Sequence, residues 1–399
     1  MSNNVDAGAA KSNPFDRWSC LLAAVAIALI GYNVTVSVPV LSTALVAKAG
    51  FSEVEVGRIW GADMGGLAIG AVLSAFFVSR INRWHIIYSA LVLYLGANIL
   101  CMVLGTYQEI LILRLFSGIA SGLFCGVAAA TLSGATNPVF AFNLELFGFA
   151  FSTAAALHFL PQLSMNGIYI VFIILGVLIA GLVLFIPKHP LNEKELNDLE
   201  MATEKAVNWK VPKILPVMCL SAICLYYINI GGYYTYIELA ALSDGLAQSF
   251  ITPVLTWSSI FAIIGCVLAH FANRYGLFKP LYFGLLAMAA SAIMLYAGIS
   301  ETTLVISLFA FMTLWTFIDI YQAAMIAHMD RSGMLAALVP AVIGFGQFLG
   351  PNVAASMLEF GMGYHMMFVV CGSMAMGAFL IYLFVGLNIR KHLNVAVAE

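Results

Sequence analysis

Long apolar runs, separated by short polar breaks, dominate the sequence. Each run holds about 20 residues or more, which is enough to cross the hydrocarbon layer of a bilayer as an α-helix. The runs are rich in Ala, Leu, Gly and Met, and they do not alternate between apolar and polar residues as strands do. The pattern therefore predicts twelve transmembrane helices, at residues 18–41, 57–78, 85–105, 109–132, 138–160, 166–187, 213–237, 250–272, 280–299, 302–327, 335–358 and 364–388.

The composition places this chain in a membrane. Hydrophobic residues make up 62% of its 399 residues and charged residues only 9%, whereas a soluble domain carries about 25% charged residues. A surface this poor in charge is stable only in lipid, so we predict an all-α membrane protein. The net charge of −2 and the lack of a basic patch argue against nucleic acid as a partner. The seven cysteines form no metal motif, so neither a metal nor a cofactor is expected.

The Lys and Arg residues predict the orientation. They concentrate on the cytoplasmic side of membrane proteins. If the N-terminus is cytoplasmic, all but three of the 17 Lys and Arg residues fall on that side. Lys48 and Arg58 then lie outside or at the outer interface, and Arg114 lies within a span. We therefore predict a multi-pass inner-membrane protein with both termini in the cytoplasm.

One long charged stretch, KHPLNEKELNDLEMATEKAVNWKVP at 188–212, divides the chain. Asn192 and Glu195 fit a capping box, and apolar residues follow at helical spacing, so a short amphipathic helix is expected there. The alternative is a solvated linker that only tethers its neighbours. The predicted organisation is a six-helix bundle at 1–187, this linker at 188–212, and a second six-helix bundle at 213–399.

The two predicted bundles resemble each other in sequence. The second span ends in AFFVSRINRW (75–84), and the eighth ends in AHFANRYGLF (269–278). A shift of 194 residues places Arg80 on Arg274. A basic turn after the second span of each half indicates an internal repeat.

These motifs resemble the major facilitator superfamily. In that family the loop after the second span has the form G-x-L-A-D-R-x-G-R-R, and here Ser79 stands at its Asp and Asn82 at its Gly. The fourth span, LILRLFSGIASG, has the family's Arg followed four residues later by Gly, as Arg114 and Gly118. The resemblance implies two six-helix bundles rocking about a cavity lined by the first, fourth, seventh and tenth spans. It also implies a gating role for the basic loops, which contain Arg80, Arg83 and Arg274, and a link to proton coupling for Arg114.

Four charged residues fall inside predicted spans, where a charge is costly and commonly functional. Asp63 and Arg114 lie at equal depth in spans that both start outside, so they can form a pair, and both are candidates for proton coupling. The alternatives are a purely structural ion pair and an Asp63 that faces a watery vestibule. Glu145 and Asp319 lie in the inner halves of their spans with no cation at a comparable depth. A buried carboxyl without a cation holds a proton, so both are candidates for proton coupling. The alternative is a protonated carboxyl that only hydrogen-bonds to a neighbouring helix.

Other polar and aromatic side chains in the spans are candidates for binding a solute. Tyr234, Tyr236 and Glu238 sit near the outer end of the seventh span, where we expect an aromatic interfacial belt and a hydrated carboxylate. Glu359 is expected in water, and Trp257 is expected to pack within the bundle. The predicted substrate-binding residues are Arg114, Asn33, Tyr226, Tyr227, Asn229, Trp315, Gln322 and Gln347.

Glycines at every fourth residue predict close helix contacts. Gly118, Gly122 and Gly126 form one such stripe in the fourth span, and Gly66 and Gly70 form another in the second. Small residues at this spacing let helix backbones approach each other in lipid.

The pattern as a whole predicts a secondary active transporter. The sequence has no nucleotide-binding loop and no nucleophile constellation, so neither an enzyme nor a primary pump is expected. The favoured function is proton-coupled uptake of a small organic solute, an organic acid or an aromatic compound, by a monomer in lipid. A proton-coupled efflux antiporter is the alternative, but the fifth span, LFGFAFSTAAALHFLP, lacks the Gly-Pro motif common in such exporters of the family. A transport-inactive sensor of the same fold is the third possibility.

Overall fold

The computed structural model describes residues 13–78, 80–136, 138–188, 212, 214–329 and 334–398. Within these residues twelve helices are long and apolar enough to cross a membrane, which confirms the predicted number of spans. The helices are α1 (Trp18–Ala49), α2 (Glu53–Phe77), α3 (Arg83–Val103), α4 (Tyr107–Leu132), α5 (Pro138–Phe159), α6 (Met165–Leu182), α7 (Ile214–Ser243), α8 (Gln248–Ala272), α9 (Phe278–Ile293), α10 (Glu301–Met329), α11 (Met334–Glu359) and α12 (Gly363–Ala398).

Since the number of spans is even, α1 begins and α12 ends at the same end of the bundle, which we call the terminal end. The opposite end, the distal end, carries the α1–α2, α3–α4, α5–α6, α7–α8, α9–α10 and α11–α12 loops. The distribution of Lys and Arg predicts that the distal end faces outward.

Local sequence signals set the helix ends at the distal end. Ser52 with Glu55 forms a capping box at the start of α2, and Thr106 with Glu109 does so at the start of α4. These side chains satisfy backbone N–H groups that have no partner within the helix. Gly50, with a φ of 76°, ends α1 in the left-handed conformation that glycine adopts without strain.

Helix α1 is longer than predicted and is interrupted once. It consists of Trp18–Gly31 and Asn33–Ala49, with Tyr32 between the two segments. The predicted end at residue 41 is wrong because polar residues such as Thr43 lower the hydropathy before the helix itself ends. The last turns of α1 therefore reach the distal end, where they meet α7.

The first six helices pack mainly against one another, and so do the last six. We call α1–α6 the N-half and α7–α12 the C-half. In the N-half α4 packs against α1, α2 and α3, and in the C-half α12 packs against α7 and α9, while α8 packs against α10. The two halves meet along α2 and α11, along α5 and α8, and along α1 and α7.

The predicted glycine stripes form the contact between α2 and α4. A Cβ on Gly66 would overlap the backbone of α4 at Leu115, and a Cβ on Gly118 would overlap the backbone of α2 at Asp63. Gly70 and Gly122 are equally close to the facing helix. The two backbones therefore touch at positions where any larger residue would separate them.

A second stripe on α2, which the sequence did not single out, joins the two halves. A Cβ on Gly57 would overlap the Tyr236 hydroxyl, one on Gly61 would overlap the Asn352 amide, and one on Gly65 would come within 2.9 Å of Phe348. Asn352 and Phe348 belong to α11. This α2–α11 seam runs to the distal end.

The structure describes the basic loop after α2 except at one residue. Ser79 lies outside the described residues. The Arg80 guanidinium stacks over Phe76. Arg83 is buried, with its guanidinium over Phe15 and its backbone N–H bonded to the Lys188 carbonyl. In the matching loop Arg274 stacks over Tyr275.

The amphipathic linker helix predicted within 188–212 falls on residues 189–211, outside the described residues. So do several of the cations that predict the orientation, namely Lys11, Lys194, Lys205, Lys210, Lys213 and Arg331.

Candidate transport site between the two halves

A small cavity of about 20 Å³ lies between the N-half and the C-half. It is walled by aromatic rings, methyl groups, two threonines and one amide, and within the described part of the chain no charged side chain lines it. Trp315 and Gln347, two of the predicted substrate-binding residues, are in its wall. The lining residues are Thr35, Val38, Trp60, Met64, Ile230, Gly231, Tyr234, Thr235, Trp315, Gln347 and Pro351.

Trp60 is the largest of the cavity residues that sequence reasoning missed. It is 2% exposed, and among the described residues its indole Nε1–H has no hydrogen-bond partner. An indole N–H in an aromatic wall can donate to a polar atom of a bound solute. Trp60 belongs to the second span, which the family resemblance does not place at the cavity, so no sequence signal separated it from other apolar residues of α2.

Asp319 of α10 lies close to this cavity. Its Oδ2 accepts a hydrogen bond of 2.9 Å from the Tyr227 hydroxyl of α7, while its Oδ1 has no partner within the described ranges. Trp315 of the cavity wall is four residues earlier, which places it on the same side of α10. Gln322, one turn beyond Asp319, is buried, and its Nε2 lacks a described partner. Tyr227 of α7 and Asp319 of α10 are therefore in direct contact next to the cavity.

Tyr226 and Asn229, which we predicted to bind substrate, lie inside the C-half instead. The Tyr226 hydroxyl donates to the Trp315 carbonyl oxygen at 3.2 Å, and Tyr233, one turn beyond Asn229, stacks on Phe311. Asn229 shares this side of α7, facing α10 and α12, and it is fully buried. Both polar atoms of its amide are without a described hydrogen-bond partner. The seventh span has several aromatic faces, and the sequence could not show which of them meets the cavity.

The N-half holds a buried ion pair. Arg114 of α4 lies with Nη1 at 3.6 Å from Asp63 Oδ2 of α2, and Nη2 donates to Asn98 Oδ1 of α3 at 2.8 Å. The Tyr169 ring of α6 lies 5.7 Å from the guanidinium. The structure thus brings together the two residues that equal depth had suggested as partners. Arg114 does not line the cavity, which separates it from Trp315 and Gln347.

Asn33 belongs to the same region of the N-half rather than to the cavity. It is 9% exposed, and it lies beside Tyr94 of α3. Tyr94 in turn is near Arg114 and Asp63. Asn33 was predicted from its polarity within the first span, and its neighbour Thr35, two residues on, is the one that reaches the cavity.

Two of the carboxyls predicted for proton coupling, Glu145 and Asp319, occupy related places in the two halves. Helices α4 and α10 begin at residues 107 and 301, which are 194 residues apart, so Asp319 corresponds to Cys125 of α4. The Glu145 carboxyl of α5 is close enough to the Cys125 thiol and the Tyr32 hydroxyl to interact with both. Each half therefore has one carboxyl at this depth, provided by α10 in the C-half and by α5 in the N-half.

Contacts between the halves close the distal end. Arg58 of α2 donates to the Asn352 carbonyl and side chain, each at 3.2 Å, to the Ser356 hydroxyl at 2.9 Å, and to the Glu359 carboxylate at 3.2 Å. As expected, the Glu359 side chain is largely exposed, at 59%. Its partner Arg58 makes more contacts with uncharged groups of α11 than with this carboxylate.

Three predictions for the distal half of the molecule are wrong. Tyr234 and Tyr236 are buried, not interfacial, and their hydroxyls donate to the Val36 and Glu53 carbonyls of the N-half at 2.9 and 2.8 Å. Glu238 is 1% exposed rather than hydrated. Trp257 is 65% exposed on the outside of α8 rather than packed within the bundle. Distance from the helix end was the only guide to the three side chains of α7, and it does not show which way each one points.

Twelve membrane-spanning helices in two six-helix halves, with a cavity between them, define a multi-pass membrane protein built as a secondary transporter. The chain belongs to the Major Facilitator Superfamily, whose sequence model matches residues 23–333. A comparison with curated proteins gives no match.

Solved transporter structures share this fold at low sequence identity. A bacterial homologue of the human lysosomal transporter Spinster matches with a TM-score of 0.72 and 14% identity, over 96% of this chain and 99% of its own. A D-xylose–proton symporter matches with a TM-score of 0.69 and 17% identity, over 92% and 97%. The nucleoside transporter NupG matches with a TM-score of 0.67 and 13% identity, over 92% and 98%. At these identities the likeness concerns the fold alone.

Proposed function

We propose that the protein takes up a small organic solute together with protons by alternating access. The observation that carries the proposal is Asp319, a carboxyl on α10 that lies beside the cavity and is bonded to Tyr227 rather than to a cation. A charged carboxylate at lipid depth costs several kcal/mol unless it is paired. The neutral, protonated form avoids that cost, so loading and release of a proton at Asp319 can accompany the movement of the halves.

The cavity wall favours an aromatic solute over an organic acid. Trp60, Tyr234 and Trp315 present ring faces and edges, and Thr35 and Gln347 supply polar groups to orient the solute. Holding an organic anion there would call for a cation.

The guanidinium of Arg114, buried among the helices of the N-half, is already occupied. Arg114 is paired with Asp63 and bonded to Asn98, away from the cavity lining. The solute that fits this wall is an uncharged aromatic compound with at least one acceptor for the Trp60 N–H.

The proposal also includes the oligomeric state, the membrane and the orientation of the transporter. It is a monomer in the inner membrane, with the terminal end in the cytoplasm and the distal end outside. The fold is shared with a D-xylose–proton symporter, and that similarity is compatible with proton coupling without establishing it.

The test begins by finding the solute. Thermal-shift screening of purified protein against aromatic compounds, organic acids, sugars, amino acids and cationic drugs would identify ligands. Uptake of each ligand would then be measured in proteoliposomes, with the pH gradient imposed in either direction. We expect uphill accumulation driven by a gradient that is acidic on the distal side. Solute movement against the proton gradient would instead establish the efflux antiporter, and no response to either gradient would refute proton coupling.

Asp319→Asn then tests the coupling residue. This variant should exchange solute across the membrane but fail to concentrate it, because the proton site is lost while the cavity wall is kept. Glu301→Gln, at the exposed start of the same helix, is the matched control and should behave like the parent. If Asp319→Asn concentrates solute as well as the parent protein does, Asp319 is not the coupling site, and Glu145 becomes the candidate.

A further inference from the structure

Glu238 of α7 is a buried carboxyl among the contacts that close the distal end. The proposed transport mechanism does not use this carboxyl. Its Oε1 accepts a hydrogen bond of 2.8 Å from Gln248 Nε2 of α8, and the same amide nitrogen reaches the Thr252 hydroxyl at 3.0 Å. Its Oε2 is shielded from solvent and has no hydrogen-bond partner among the described residues. The carboxyl is therefore buried with one oxygen bonded to an amide and the other shielded from solvent.

The position of Glu238 links it to the movement of the halves. It lies where α7 of the C-half meets α1 of the N-half, near the Thr43 hydroxyl. On the same stretch of α7 the Tyr234 and Tyr236 hydroxyls bond to backbone carbonyls of the N-half. If the distal end opens, these contacts separate, and the carboxyl comes into contact with the solution on that side.

Few charges near Glu238 could compensate an ionised carboxylate. On α1 the facing cation is Lys48, but its Nζ donates to the Pro161 and Leu163 carbonyls before α6. On α8 the facing groups, Gln248 and Thr252, are uncharged. Other titratable or charged groups of the distal half include Tyr234 on α7 itself, Arg58 paired with Glu359, Asp244 paired with His365, Glu53 beside Tyr236 and Tyr364, Glu55 and Glu109 in their capping boxes, and the exposed Glu301 and His158.

We propose that Glu238 is a proton-binding site of the distal gate, by which we mean the contacts between the halves that close the distal end. The Glu238 carboxyl must be protonated for the distal end to close. In the open state water solvates the ionised carboxylate. In the closed state Oε2 is shielded from solvent, and among the described residues no cation forms an ion pair with the carboxylate, so the ionised form opposes closure while the neutral form permits it. The closed conformation should therefore be favoured at low pH and lose population as the pH of the distal solution rises. The role of this site in transport rests on the proposed proton coupling, but its effect on the gate does not require transport.

Ser42 offers a reporter of the gate. It lies four residues after Val38 and seven after Thr35, on the cavity side of α1, and it is fully buried in the closed distal end. The change Ser42→Cys adds little volume. A maleimide should react with this thiol only while the distal end is open.

The experiment measures the rate of maleimide labelling of Ser42→Cys in the purified full-length protein between about pH 5.5 and pH 8.5. Each rate is divided by the rate in unfolded protein at the same pH. The ionisation of the thiol itself then cancels in this ratio. Protein without the added cysteine gives the background from the native thiols. We expect the ratio to rise at least about threefold over this range, which corresponds to a modest shift of the conformational equilibrium. In Glu238→Gln the ratio should stay low at every pH.

The control variant is Glu301→Gln, which removes an exposed carboxylate at the same end of the molecule and should keep the parent's pH dependence. If Glu238→Gln fails to fold, Glu238→Met also removes the charge and must give the same flat profile. A parent protein whose ratio does not change with pH, or a Glu238→Gln protein that keeps the parent's profile, would overturn the proposal. Because labelling needs neither solute nor gradient, these outcomes are independent of whether Asp319 couples transport to protons.

Discussion

Arg114 of α4 and Asp63 of α2 face each other inside the N-half, with 3.6 Å between Nη1 and Oδ2. Neither Asp63 oxygen has a hydrogen-bond partner in the described part of the chain, whereas Arg114 is also fixed by Asn98. The guanidinium thus connects α2, α3 and α4 at a place where all three side chains are fully buried. A pair of this kind is expected to hold the helices in place, because removing either member leaves an uncompensated buried charge.

Arg114→Ala should therefore lower the stability of the protein. Breaking a buried pair costs about 3–5 kcal/mol in soluble proteins, and we expect a loss of that order here. Adding Asp63→Asn to this variant should restore much of the stability, because the stranded carboxylate is then removed. The measurement is a melting curve for each single and double variant, with Arg274→Ala, at an exposed position, as the control.

The same melting curves separate two roles for Arg114. If it holds substrate, the single change would abolish ligand binding while leaving the melting temperature nearly intact. If neither stability nor binding responds, the guanidinium is hydrated and the buried pair described above is not what holds this region together.

The glycine contacts across the α2–α11 seam predict a second stability effect. A Cβ at Gly61 would overlap the Asn352 side-chain amide and would lie 2.9 Å from its Cγ, so Gly61→Ala should push α11 away from α2. Gly96 of α3 is the matched control, because a Cβ there meets nothing within 4 Å. Gly96→Ala should be neutral or stabilise by up to about 1 kcal/mol through helix propensity.

Melting curves of the two glycine variants, together with Ser42→Cys labelling, test this difference. Gly61→Ala should melt at lower temperature and label faster at a given pH than the parent does. Equal behaviour of Gly61→Ala and Gly96→Ala would show that the seam can accept a methyl group and does not limit closure.

The depth of a residue in the membrane could be predicted from the sequence, because depth follows from counting along an apolar run. That is why the twelve spans and the Asp63–Arg114 pairing could be predicted. The direction of a side chain around its helix could not be predicted in the same way. Tyr234, Tyr236 and Glu238 all lie near the end of α7, yet each faces a partner helix rather than solvent.

The hydrophobic pattern gave little help with direction because helices of this protein are apolar on every side. In a soluble helix a polar face marks the solvent, but lipid removes that contrast. Asn229 and Trp257 illustrate the consequence. Asn229 points into the C-half core despite its polarity, and Trp257 points outward despite its size. Only contacts between helices distant in the sequence, such as α7 with α10, decide these orientations.

The predicted topology is testable at the linker. Cysteines introduced into 188–212 should be labelled only from the cytoplasm, because the Lys and Arg distribution places this stretch there. A cysteine at Ser300, exposed in the α9–α10 loop, should be labelled from outside. Labelling of the 188–212 positions by a membrane-impermeant reagent in intact cells would reverse the assignment of the two ends.

Trp315 gives the sharpest test of the cavity. Its ring lies in the cavity wall and makes an edge contact with Tyr234, with 5.7 Å between ring centroids. Stacking of an aromatic solute on such rings contributes about 0.5–1.5 kcal/mol beyond the area it buries, so Trp315→Ala should weaken binding of an aromatic ligand by roughly tenfold or more.

Trp257→Ala is the matched control for this prediction, since it removes an equally large ring from the outside of α8, away from the cavity. Dissociation constants would be measured by isothermal calorimetry for parent and both variants, using a ligand found by thermal shift. A ligand that binds Trp315→Ala as tightly as the parent protein, while the variant melts normally, would place the solute elsewhere than between Trp60, Tyr234 and Trp315.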